Sequence, residues 1–387
     1  MIGSLRLLPL LFLVGCEDWD YLSRSHNGGM VSGGPFNYVF VTSQSYSPGA
    51  KYQGPGSLSY SSVEDADQIC HDLASASSVA GVHAQKTYVA WLSTSSTPAR
   101  NRLRVPGSTA SARGWQRPDG RPFSDSLDDL TSQGKIFFPP RLDENGSDVV
   151  GGEPNLVPVA TGTQAVGTSS MSTAMDWTSS TASYSPGHSA GTTGCWTDCQ
   201  VGEPVSGAAH LYCLGVDFAN ALLPSTAVGR HAFVSKTPFS PPTPLSDADM
   251  ICNEEAKGAG LSGDYLALLS TTSQAAAERF DLKGPTWVRL DGIPWLDRAD
   301  ALAEGQIVTT LNVDSTKLYQ DSWFVWSGSG NPGTRTVTPS DQSCNDWTSG
   351  ASKGQVGRVE LSNVRFFNQT TSHPCGDSNA HVYCLER

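Results

Sequence analysis

The sequence is poor in charge, poorer still in positive charge, and lacks the metal-protease and nucleotide-binding signatures. Lys and Arg number 25 against 37 Asp and Glu, a net charge of -12, so broad electrostatic attraction to nucleic acid is not what this chain is built for. It has no HExxH, P-loop or GxGxxG at a strand-to-helix turn, and with them go the usual signatures of zinc proteases and nucleotide-binding enzymes. No enzymatic activity is expected. Beyond residue 16 no apolar run is long enough to span a bilayer. Regular structure should also be sparse: 39 Gly and 24 Pro in 387 residues force much of the chain into loops, and an irregular domain with a small core depends on cross-links.

What the sequence does contain is itself, twice. AHLYCL at 209–214 returns as AHVYCL at 380–385, FVTS at 40–43 as FVSK at 233–236, and ADQICHDLA from Ala66 as ADMICNEEA from Ala248. YVAWLSTSS from Tyr88 matches YLALLSTTS from Tyr265, Trp115 and Trp287 each precede a charged Asp-Gly turn, and MDWTS at Met175 matches NDWTS at Asn345. The order never changes, and a period of about 170 residues means two whole domains rather than a solenoid. We place copy 1 at 37–217, a linker at 218–229 and copy 2 at 230–387.

Ahead of the copies, Arg6, the apolar LLPLLFLV and Cys16 read as a processing segment, residues 1–16, too short to cross a membrane. LFLVGC resembles a bacterial lipoprotein signal, which implies that Cys16 becomes the lipid-bearing N-terminus and that the chain is exported and anchored to the cell envelope, at the outer membrane or cell surface, by acyl chains. The polar, Gly/Ser-rich stretch 17–36 suits a flexible tether.

Setting Cys16 aside leaves four cysteines per copy, a disulfide framework for an oxidising compartment. Four cysteines allow three pairings, and comparison of the copies narrows them. The outer positions recur, so Cys70 is expected with Cys213 and Cys252 with Cys384. Cys344 before NDWTS has Ala174 as its counterpart, while Cys195 occurs only in copy 1. Cys344 is therefore expected with Cys375, and Cys195 with Cys199. CWTDC lacks CxxC spacing and a second pair, so zinc is not expected.

Helical spacing is evident at Val63, Ala66, Ile69, Cys70 and Leu73 and again at Leu245, Ala248, Ile251, Cys252 and Ala256, with Ser62 and Ser246 as candidate caps. Weaker helices are expected near 124–132 and 297–304, and short strands at YVAWLS, YLALLS, VATGT, FVWSG and the two AHxYCL endings. The fold class is α+β, loop-rich and disulfide-stapled.

The early cysteine-bearing helix, the AWLS strand, the long loop region, the Cys before DWTS and the terminal cysteine strand together resemble the C-type-lectin-like fold. More closely they resemble a bacterial domain family of secreted and lipid-anchored proteins, similar to the endostatin branch of that fold. The resemblance covers nearly everything from Tyr38 onward and implies two tandem lectin-like domains, with outer and inner cysteines each paired; Ala174 is the departure. Calcium-dependent lectins of that fold use a Glu-Pro-Asn loop and a Trp-Asn-Asp strand. Copy 1 has Glu153 and Asn155 around a proline, and Asp198 after Trp196, oxygen ligands of the kind Ca2+ takes. Copy 2 has GNPG at 330–333 and no Glu. No cofactor is expected, Ca2+ at the first copy excepted.

The repeated Trp177 and Trp347 are expected in the core, and the repeated His210 and His381 as structural strand residues, while Trp196, Trp295 and Trp323, which do not correspond between copies, are candidates for surface contact. The expected function is a non-enzymatic, monomeric envelope lipoprotein displaying two linked lectin-like binding or adhesion modules, toward a glycan or extracellular protein. The alternative is a structural or partner-binding lipoprotein with no carbohydrate site.

Overall fold

A computed structural model describes residues 34–150, 157–199, 205–376 and 379–387. Cys16, Glu153 and Asn155 lie outside them. Among the described residues no helix is long and apolar enough to cross a membrane.

The two halves build the same sheet in the same register. In the first, the opening strand Asn37–Val41 lies antiparallel to the closing strand His210–Gly215, with Phe40 opposite Cys213, and parallel to Trp115–Gln116. Strand Tyr88–Ala90 flanks the other edge of the closing strand, Ala90 opposite Cys213. In the second, Arg230–Val234 sets Phe233 opposite Cys384 and Arg230 opposite Trp287, and Tyr265–Ala267 sets Ala267 opposite Cys384. The halves then diverge. In the first, Pro158–Ala160 joins the main sheet parallel to the closing strand, and Pro186–His188 pairs on its far side. In the second, Phe324–Trp326, Lys353–Arg358 and Ser372–Pro374 form a sheet of their own.

Each half carries one 14-residue helix, Val63–Ala76 and Leu245–Gly258. Ala66, Ile69, Cys70 and Ala74 bury the inner face of the first, and Ser62 caps it by accepting the Asp65 N–H. Ser246 does not cap the second: Pro244 occupies that position and Ser246 falls inside the first turn, which proline can open because the helix needs no N–H there. The weaker helices are shorter than expected, Leu127–Thr131 and Ala301–Glu304.

Four disulfides close the framework: Cys70–Cys213, Cys195–Cys199, Cys252–Cys384 and Cys344–Cys375. They are the pairs expected from comparing the copies, and they mark an oxidising, extracytoplasmic environment. The outer bonds span 143 and 132 residues and fasten each helix to its closing strand.

Polar staples recur as faithfully as the cysteines. Asp67 accepts the Ala90 N–H and pairs with Arg102, as Asp249 does with Ala267 and Arg279. Arg117 binds Asp119 and the Pro139 carbonyl, as Arg289 binds Asp291 and the Thr310 carbonyl. Trp177 and Trp347 are buried and donate to the carbonyls of Ser93 and Ser270. Both tryptophans end a run of four residues at positive φ, 174–177 and 344–347. For L-residues that left-handed turn costs about 1–2 kcal/mol per residue. Its repetition is offset by what it places: a core indole, and Asp176 or Asp346 accepting from Ser95 or Thr272.

Candidate functional site: the cleft at the junction of the two halves

The halves meet through equivalent loops. Gly187 and Gly357 each sit mid-strand opposite Val159 and Val325. At each, a Cβ would collide with a carbonyl, that of Trp196 or of Phe366, so both strands admit only glycine. Counting from these glycines, Ala190 corresponds to Glu360, Gly191 to Leu361 and Thr192 to Ser362. Gly191 and Leu361 pair with each other as an antiparallel bridge. The Thr192 N–H donates to Glu360 O at 2.9 Å, and the Ser362 N–H donates to Ala190 O at 2.9 Å. Exchange of identical bonds between equivalent residues is the signature of an isologous, two-fold interface, here enclosed within one chain.

Side chains follow the same rule. Arg141 donates to Ser362 at the carbonyl and hydroxyl, and its counterpart Asn312 reaches Thr192 Oγ1 at 3.4 Å. Around them Thr192 and Thr310 share a buried hydrogen bond, Thr309 donates to Phe137 O, and Thr193 donates to Asp321. The linker segment is held as well: the Phe218 N–H donates to Asn37, and Leu222 is buried with Phe36, Phe137, Phe138 and Ile293 across the junction. Cys195 and Cys199 pack on Leu361, so the disulfide private to the first half staples the loop that touches the second.

A two-fold junction creates two related positions, and one of them holds an open cleft. The open cleft has a volume of about 470 Å³ and is lined by Arg117, Arg121, Arg141 and Asp148 from the first half and by segments 304–308 and 362–364 from the second. At the related position Arg121 is replaced by Ile293, Val308 by Phe137, Asp148 by Tyr319 and Asn363 by Thr193. Ile293, Phe137 and Thr193 are all buried, and Ile293 and Phe137 fill the mate as part of the apolar junction cluster.

The open cleft is polarised. The Arg117, Arg121 and Arg141 side chains are 5%, 13% and 11% exposed, whereas their partners Asp119, Asp297 and Asp148 are 33%, 46% and 40% exposed. The guanidiniums act through protein and the carboxylates are screened by water, so the interior is the positive end. Phe138 lies beneath Arg117 and Arg121, ring centroid 5.5 and 5.2 Å from the guanidinium carbons, a cation–π support that fixes both. Burial of Asp119 opposes its ionisation, but Arg117 and Arg121 outweigh it and hold the carboxyl below the usual range. His188 is buried near the junction. Burial, then the charges of Arg365 and Arg141, push its imidazole down to about 3, so it is neutral. Its Nδ1 accepts the Ala190 N–H at 2.9 Å, which leaves the proton on Nε2, an atom without a protein partner.

The residues singled out from sequence do not assemble here. Asp198 lies in the Gly194–Cys199 turn, its N–H bound to Gly194 O at 2.8 Å, and Glu153 and Asn155 fall outside the described residues. Among the described residues no group of three His, Cys, Asp or Glu is placed to hold a metal ion. Trp196 and Trp295 are not surface contacts: both are fully buried. They form a compensated exchange, since Trp196 packs edge-on to Phe123 in the first half and Trp295 packs edge-on to Phe366 in the equivalent place, keeping the volume of the pair. Trp323 is half-buried and stacks on His381 at 3.8 Å. His210 and His381 bind the carbonyls of Thr42 and Ser235. The cleft residues carry one signal in sequence, the equal spacing from Gly187 and Gly357 into the two loops.

No protein-family model matches the chain, and a comparison with curated proteins gives no match.

Proposed function

We propose that the chain is a non-enzymatic binding protein of the cell envelope, tethered by a lipid on Cys16, whose two lectin-like domains are joined into one body that presents a single composite cleft to a small polar ligand. The observation that carries this reading is the unequal fate of the two related clefts. One is filled with Ile293 and Phe137, while the other keeps buried guanidiniums and an opening of about 470 Å³, within the usual size for small-ligand sites. Stability alone would favour filling both. The expected gain from two linked, equivalent sites is replaced by one site to which each copy contributes different residues. The lectin-like assignment rests on the motifs quoted above, and anchoring rests on the LFLVGC segment.

The test is to impose the filled cleft on the open one. Arg121→Ile with Val308→Phe copies the residues of the mate. A panel of neutral and acidic sugars screened by thermal shift and calorimetry is expected to give a ligand for the native chain and none for the double variant, whose melting temperature should be at least as high. Ligands that bind both proteins equally, or no ligand for either, would move the chain to the structural reading.

A further inference from the structure

We propose that the junction cleft binds the carboxylate of a small hydroxylated acid, a hexuronate-type sugar acid, with the Asn363 amide as the determinant. This rests on the binding reading above and names its ligand class.

Asn363 lines the cleft and is 5% exposed. Its Oδ1 is committed to the Arg365 N–H at 3.2 Å, so the amide cannot be turned the other way without losing that bond. The atom left over is therefore Nδ2, a donor, and it has no protein partner. Buried donors without partners are rare and mark places where something else accepts. What accepts here meets a positive surrounding: Arg117, Arg121 and Arg141 line the same space with their guanidiniums withdrawn from water. The basicity of nearby His188 is lowered by burial first and then by Arg365 and Arg141, in keeping with that positive charge. An oxyanion is the group that satisfies a fixed amide donor in such a field; the forks of Arg117 and Arg141 are already held by Asp119 and Asp148, so these guanidiniums act on it through charge.

Other lining residues have the opposite character: Asp148, Glu304 and Gln306 supply oxygens, and Leu142, Ile307 and Val364 supply apolar surface. Carboxylate and amide oxygens accept from hydroxyls, and the apolar side chains offer a surface to ring carbons. A ligand with a carboxylate and hydroxyls around a compact ring matches both kinds of lining group at once.

The experiment is calorimetry on the full chain with D-glucuronate and D-galacturonate, set against D-glucose and acetate. The expected result is one hexuronate per chain, bound at least about tenfold more tightly than glucose or acetate. Asn363→Asp keeps the Oδ1 bond to Arg365 and replaces the donor with a second carboxylate oxygen. It should leave the melting temperature nearly unchanged and weaken hexuronate binding by about tenfold or more. Glucose binding as tightly as glucuronate, and lost in the Arg121→Ile, Val308→Phe variant, would overturn the carboxylate inference and leave the binding reading standing. Acetate equal to glucuronate, or hexuronate binding unchanged by Asn363→Asp, would also overturn it. No binding in any arm would overturn both.

Discussion

At one side of the junction the turn after Trp115 presents Arg121 to an open cleft; at the other, the turn after Trp287 presents Ile293 to a filled one. The frames around these turns are alike, down to the arginine that closes each turn onto an aspartate two residues later. What differs is the side chain aimed at the opposite half. A fused pair is free of the constraint that binds a symmetric dimer, in which every residue acts at both clefts. One cleft can add apolar burial to the junction while the other retains polar groups that stability would not choose.

The comparison of shared and private features can be broken in order of size. Removing an outer disulfide, by Cys70→Ala with Cys213→Ala, should cost up to about 5 kcal/mol on the chain-entropy estimate, whereas Cys195→Ala with Cys199→Ala closes so short a loop that about 2 kcal/mol is expected, given separations of 143 and 4 residues. Denaturant melts of the two double variants check this. Equal losses would mean that the short bond stabilises chiefly by holding the junction.

The turn arginines come next. Arg289 is fully buried and its partner Asp291 12% exposed, whereas Asp119 beside Arg117 is 33% exposed. Arg289→Ala strands a buried carboxylate and should cost about 3–5 kcal/mol, while Arg117→Ala should cost about 1–3 kcal/mol because water can replace the guanidinium at Asp119. Thermal denaturation of the pair orders them.

Acid should act on one half more than the other. His188 titrates near 3 when folded against an ordinary value of 6.5, so the unfolded chain binds more protons between these limits. Its contribution is complete above about 6.5 and is lost as pH falls toward 3. Melting temperature measured across that range should fall less steeply in His188→Gln than in the native chain; parallel curves would contradict the assignment. The smallest effect tests sameness rather than difference. Asp176→Ala and Asp346→Ala each remove the acceptor of one loop N–H and two hydroxyls and should each cost about 1 kcal/mol, equally in the two halves.

The sequence made the frame readable because its staples are side chains of fixed type. Cysteines, DWTS tryptophans and the ADxxC helix recur at positions where only those groups complete the bond, and the sheet register follows from them. The junction was not readable, since its defining contacts are backbone N–H to carbonyl bonds at Thr192, Ser362, Ala190 and Glu360, to which almost any residue contributes equally. Trp196 and Trp295 misled for another reason. Lack of correspondence implied exposure, whereas the core tolerated exchange of Trp and Phe between two touching positions. Asn363 is not legible in the sequence, since an asparagine in a loop is usually turn chemistry, and only the commitment of its Oδ1 to the Arg365 N–H leaves the amide donor open.

The central claim is that the duplicated halves form one body around a built junction. Amide hydrogen exchange at Thr192 and Ser362 tests it most directly, since these two N–H groups make the exchanged bonds between the halves. The account predicts protection comparable to Tyr212 and Tyr383 in the closing strands. Exchange at the rate of open loops, with the closing strands still protected, would mean that the halves move independently and that no composite cleft exists.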